Sequence, residues 1–165
     1  MALQNGQIPI LANVLNSGVA VFNSAGSGQS IGAVGTDNNG VVGYTAGAQQ
    51  PFGQSPAGGR VYTVIASTSA PVNYVFVYIL RSTTVIPIGQ VTVLATAGNA
   101  ATALVKNTDF LDGINILGLP VDNTGKRYIP LQGSDQLKFS VNTSIAAGAA
   151  RLIISCFGAD YQLIS

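Results

Sequence analysis

Along this chain apolar and polar positions alternate with a period of two far more often than with a helical period, and the alternation strengthens toward the C-terminal side. Val61-Tyr62-Thr63-Val64-Ile65-Ala66 and Asn73-Tyr74-Val75-Phe76-Val77-Tyr78-Ile79-Leu80 place β-branched or aromatic residues at almost every position. Such runs predict strands covered on both faces, and therefore central ones. Leu137, Phe139 and Val141 alternate with Lys138, Ser140 and Asn142, which predicts a strand with one face in the core and one in water. Arg151 to Phe157 predicts the last long strand. The short link Ser67 to Val72 fits an antiparallel hairpin, and Ser82-Thr83-Thr84 fits a second tight connection into Val85 to Leu94, so a meander is expected.

Turn residues at Ala97-Gly98-Asn99, Asp122-Asn123-Thr124-Gly125, Gln132-Gly133-Ser134 and Ala147-Gly148 separate these runs. Roughly eight strands at short intervals result, the spacing of sandwiches and jelly rolls. Thr108 to Leu117 reads as an irregular loop, because Gly113, Asn115, Gly118 and Pro120 oppose a helix. The expected fold is all-β, an antiparallel, jelly-roll-like β-sandwich over residues 59–165, with an irregular, extended N-terminal arm over residues 1–58. That arm carries one charge, Asp37, among Gly, Asn, Gln, Ser and Ala. Within it Gly18 to Phe22 and Val41 to Tyr44 read as short strands, and Asn23 to Ser30 and Gln49 to Pro56 have linker chemistry. Ile8-Pro9-Ile10-Leu11 reads as a docking peptide or a frayed terminus.

Composition adds one constraint. The chain of 165 residues has 7 Lys and Arg, 6 Asp, no Glu and no His, so 8% of it is charged and its net charge is +1. Ordinary soluble domains are about 25% charged. A folded monomer of this size exposes roughly 7,600 Å², or one charge per roughly 600 Å². A surface so neutral is suited to being covered, which favours a structural subunit or adhesive module over an enzyme. Seven dispersed basic residues give no footprint for a polyanion, so nucleic acid is not an expected partner. No Lys or Arg precedes Arg60 and no apolar run reaches membrane-spanning length, which points to synthesis in a cytoplasm without a membrane partner.

The candidate chemistry is thin. Gly28-Gln29-Ser30-Ile31-Gly32 matches the nucleophile-elbow pattern of hydrolases, but that elbow needs a strand, a helix and a base. With no His, and with Lys106, Lys126 and Lys138 in contexts that suggest solvated side chains, Ser30 reads as a loop serine. Asp109 and Asp112 read as turn caps rather than paired catalytic carboxylates or calcium ligands, and Asp122 to Lys126 reads as a hairpin turn rather than a calcium loop. Tyr44, Tyr62, Tyr74, Tyr78, Tyr128 and Tyr161 fit either a sugar site or, more simply, core and interface packing. Cys156 lies in an apolar run and reads as a buried structural thiol. Asn142-Thr143-Ser144 reads as a polar strand end rather than a glycosylation acceptor. No catalytic, cofactor-binding or metal-ligating residue is assigned.

Arg60 to Ser67 (RVYTVIAS), Val75 to Arg81 (VFVYILR) and Ile86 to Val91 (IPIGQV) resemble small structural proteins of tailed bacteriophages. So do Phe110 to Gly113 (FLDG), Leu117 to Leu131 (LGLPVDNTGKRYIPL) and Ser134 to Phe139 (SDQLKF). The resemblance runs from about Arg60 to Tyr161 and leaves the first 59 residues outside it. It implies a non-enzymatic β-sandwich protein of the virion, a capsid decoration (cement) subunit. Such a subunit binds the major capsid protein on the outside of the head as a homo-oligomer, a trimer being the expected form. A tail or fibre adhesin that binds a host receptor or glycan is the competing expectation.

Overall fold

The computed structural model describes residues 10–23, 40–49, 57–69, 74–98, 105–113, 115–141 and 151–162. Within them the chain forms nine strands and no helix: β1 (Ile10–Asn23), β2 (Val41–Thr45), β3 (Gly59–Thr68), β4 (Tyr74–Arg81), β5 (Thr84–Thr92), β6 (Thr108–Asp109), β7 (Ile129–Leu131), β8 (Gln136–Val141) and β9 (Arg151–Gln162). Two antiparallel sheets result. One has the order β1-β9-β3-β6, with β7 also on β3, and the other the order β2-β8-β4-β5. The pairing is nested: β1 pairs with β9, β2 with β8, β3 with β7 and β6, and β4 with β5.

Period-two patterning explains the core. Ala20, Phe22, Val61, Val64, Ala66, Leu152, Ile154 and Cys156 point inward from the first sheet. They meet Tyr44, Val75, Val77, Ile79, Leu137, Phe139 and Val141 of the second. The loop between β6 and β7 adds Phe110 to this interior, its ring edge-on to Phe139 at 6.0 Å. Edge-to-face contact is a favoured aromatic geometry and fixes the loop to the core.

Three expectations are corrected. First, β3 and β4 do not form a hairpin, because they belong to different sheets. Both flanks of β3 are already occupied, by β9 on one side and by β6 and β7 on the other. The one hairpin of the expected meander that forms is β4–β5, through Ser82, whose φ of 55° closes the turn. Second, β8 is buried on both faces rather than one. Lys138 and Ser140 are buried because β8 runs between β2 and β4, where Val42 and Tyr78 flank Lys138 and Phe76 flanks Ser140. Large neighbours on an interior strand cover a small residue and the aliphatic stem of a lysine. Third, the first strand is longer than Gly18 to Phe22. It runs from Ile10 to Asn23 and is hydrogen-bonded along β9.

The sheets meet closely along the seam between β1 and β2. A Cβ on Gly18 would overlap the Gly43 carbonyl, and a Cβ on Gly43 would strike the Phe139 ring. Both positions therefore need glycine for close approach rather than for a turn. Ser30, Ile8, Pro9, Asn142 and most of the two linker-like stretches lie outside the described residues.

Candidate interaction surface

The outer face of the β1-β9-β3 sheet gathers four of the nine exposed large hydrophobic residues among those described, Leu15, Val19, Val21 and Phe157. In β1 the buried residues are Asn16, Ala20 and Phe22, so Leu15, Val19 and Val21 face outward, 82%, 55% and 45% exposed. In β9 the same parity turns out Phe157, which is 53% exposed. Register sets Ser17, Phe157 and Thr63 in one row, Val19, Ser155 and Ile65 in the next, and Val21, Ile153 and Ser67 in a third. None of these nine side chains is charged. The charges that border these rows are Arg60, in the row of Leu15 and Ala159, Asp109, opposite Ile65 on β6, Arg151 at one end of β9, and Asp122 and Lys126 beside Phe157.

Next to this face, a bulge in β3 alters the alternation. Val61 pairs with Gly158 and Thr63 with Phe157, so Tyr62 is the extra residue and sits beside Thr63 without a partner on β9. Bulges of this kind re-aim a side chain. Three of the six tyrosines gather here around Arg60. Its guanidinium lies 4.5 Å from the Tyr128 ring centre and 5.7 Å from that of Tyr161. Arg60 Nε donates to the Tyr161 hydroxyl at 2.6 Å, and Nη1 reaches the Tyr62 hydroxyl at 3.5 Å. The Tyr62 and Tyr128 rings stand 5.9 Å apart. Hydrogen bonding to Tyr62 first, and to Tyr161 after it, raises the Arg60 pKa, so its charge is permanent. Cation–π contact and these hydroxyls hold the rings as one unit.

Beyond Tyr62 lies an open groove of about 510 Å³ between β3 and the loops around Asp109–Gly113 and Val121–Arg127. Asp109, Asp112, Lys126 and Arg127 line it, all exposed. The turn chemistry expected of this region is present. Asp109 Oδ1 accepts from Leu111 N at 2.9 Å. Asp122 Oδ1 accepts from Thr124 N, Thr124 Oγ1 and Lys126 N at 2.8, 2.7 and 3.0 Å, and the Thr124 bonds in particular lower its pKa. Gly125, at φ 85°, completes that turn.

The other tyrosines part company with this cluster. Tyr44 and Tyr78 are buried and Tyr74 is exposed at the start of β4. Tyr44 donates to Asp160 Oδ1 at 2.9 Å, and burial, followed by the negative Asp160, holds its phenol far above the usual range. Cys156 lies in the core, where burial pushes its thiol up to about 12. A buried neutral thiol is a poor nucleophile. Lys106 is exposed, whereas Lys138 is not. A second open hollow, about 570 Å³, sits at the end of the other sheet beside Arg81 and Asp135.

Sequence reasoning passed over Arg60, Leu15 and Val19 as surface residues. Alternation within Gly18 to Phe22 already held the signal for Val19 and Val21. The Arg60 cluster had none, since its rings come from β3, from β9 and from Tyr128 just before β7, far apart in the chain. No family model matches this chain, and neither does any curated protein or any solved structure.

Proposed function

We propose that this protein is a non-enzymatic structural subunit of a tailed-phage virion, a capsid decoration or cement protein that acts by burying its surface against copies of itself and against the major capsid protein. The observation that carries this reading is the apolar outer face of β1, β9 and β3, where Leu15, Val19, Val21 and Phe157 stand exposed and Arg60 marks one end. Contiguous apolar surface of this kind marks a contact site in a stable protein. Self-association, as a trimer, covers that face.

The reading extends to the fold. The nested pairing of first strand with last supports a jelly roll, in effect one long hairpin rolled into two sheets. The parts of residues 1–58 outside β1 and β2 serve as the arm on the capsid surface, while those two strands belong to the sheets themselves. The virion exterior is the site of action, after synthesis in the host cytoplasm.

Light scattering coupled to size exclusion, on the protein alone and mixed with DNA-emptied heads of the phage that carries this gene, tests the proposal. A stable oligomer that co-elutes with heads is expected, and Val19→Lys with Phe157→Lys should reduce it to monomer. A wild-type monomer that ignores heads overturns the reading.

A further inference from the structure

Six of the chain's thirteen charged residues, Arg60, Asp109, Asp112, Asp122, Lys126 and Arg127, collect around Tyr62. In a protein so poor in charge, this concentration is a local feature and not a general property of the surface. Two carboxylates and two cations line the groove of about 510 Å³, yet they close no ion pair with each other; among the described residues the ion pair that forms is Arg81–Asp135, elsewhere. Charges of both signs are thus left open to an incoming molecule.

We propose that this groove binds a neutral, hydroxyl-rich carbohydrate. An apolar partner would strip water from four ionised groups and give nothing back. An anion would meet Asp109 and Asp112, and a cation would meet Lys126 and Arg127. A sugar hydroxyl donates and accepts at once, so one ring can give hydrogen bonds to the carboxylates while it receives them from the ammonium and guanidinium. Such charge-assisted bonds are about twice as strong as neutral ones. The carbon-bound face of the ring packs against Tyr62.

The wall is built in advance. The bulge aims Tyr62 outward, Tyr128 stands 5.9 Å behind it, and Arg60 locks Tyr128 and Tyr161. An aromatic side chain already held in place binds without the entropy cost of ordering it. Gly113 keeps the opposite wall low, since a Cβ there would overlap the Arg127 guanidinium. The groove lies on the β6 side of β3 and meets the apolar face at Thr63, whereas Val19 stands one row away on β1, so substitution there tests the apolar face apart from the groove.

Saturation-transfer NMR on the full chain with maltotetraose, cellotetraose and chitotetraose, and with sialyllactose as an acidic control, tests the inference. At least one neutral oligosaccharide should show transfer, with none from sialyllactose. Asp112→Asn and Arg127→Gln, both on exposed positions that leave the melting temperature unchanged, should each weaken binding about tenfold, the scale of one lost charge-assisted hydrogen bond. Tyr62→Ala should abolish it, and Val19→Lys should leave it intact. Absence of transfer from all three neutral sugars, unchanged binding in both Asp112→Asn and Arg127→Gln, or preference for sialyllactose overturns the proposal. Oligomer size, read separately, speaks only to the virion role.

Discussion

Asp160 and Asp135 are both withdrawn from water, at 0% and 3% exposure, but they are held by opposite kinds of partner. Asp160, on β9, accepts from the neutral amide of Asn16 on β1 at 2.7 Å and from the neutral hydroxyl of Tyr44 on β2 at 2.9 Å. Asn16 Nδ2 also donates to the Thr45 carbonyl at 2.8 Å, so one amide ties three strands across the seam between the sheets. Asp135 instead faces Arg81, whose Nε and Nη2 approach it at 3.0 and 2.7 Å, and it takes a further bond from Gln132 N at 2.9 Å. The Arg81 side chain remains 41% exposed. A guanidinium can serve where its stem reaches in from solvent; at the glycine-tight, buried seam the donors are the neutral groups of Asn16 and Tyr44. The seam is therefore specified by shape and hydrogen bonding, and the turn by charge.

Removing the acceptor at the seam should have the largest effect. Asp160→Ala leaves both the Asn16 amide and the Tyr44 hydroxyl buried without it, and should cost about 3 kcal/mol or more in urea denaturation. A loss below about 1 kcal/mol would mean that water enters the seam. Arg81→Ala should cost less, about 1–2 kcal/mol, because solvent screens the half-exposed guanidinium and Gln132 N still serves Asp135. Equal losses for the two variants would mean that the buried seam and the turn depend on their carboxylates alike.

Alkaline pH should weaken the buried side of the molecule around the seam. The Cys156 thiol is raised from 9.0 to about 12 and the Tyr44 phenol from 10.0 to well above it, so the folded state holds these protons more tightly than the unfolded state. Stability from this source is complete below the unfolded values and is lost as pH rises through them and toward the folded ones. Urea midpoints should stay flat from neutrality to about pH 9 and fall above it, and Tyr44→Phe with Cys156→Ala should flatten that fall. Salt should give the smallest effect. In 1 M NaCl the penalty of Arg81→Ala should shrink by a few tenths of a kcal/mol while that of Asp160→Ala holds, since screening acts on exposed charge.

The seam and the turn also differ in what the sequence discloses. Strand positions were legible wherever Val, Ile and aromatic residues alternated, as in β3, β4, β8 and β9, because local pleating reads directly from residue order. Asp122 to Lys126 was legible as a turn for the same reason. Sheet membership was not: nothing in Val61 to Ala66 or Asn73 to Leu80 states that these runs face each other across a core instead of pairing. The burial of Lys138 follows from residues opposite it on β2 and β4, and the Arg60 cluster from β3, β9 and the residue before β7, so neither has a local signature. Asn16, Tyr44 and Asp160 are separated by 28 and 116 residues and meet only in the assembled fold.

The position of β9 has a consequence for how the chain must be made. The ribosome delivers this strand after the other eight, yet it lies between β1 and β3, which have no pairing to each other without it. Until then β1 is a long strand with apolar residues and an open edge, waiting on a partner more than a hundred residues away. Such long-range closure is slow and exposes sticky edges to other chains. Newly made copies in a crowded host therefore face a race between closing on their own last strand and pairing with a neighbour, and a cell that synthesises the protein fast should need chaperones most during that interval.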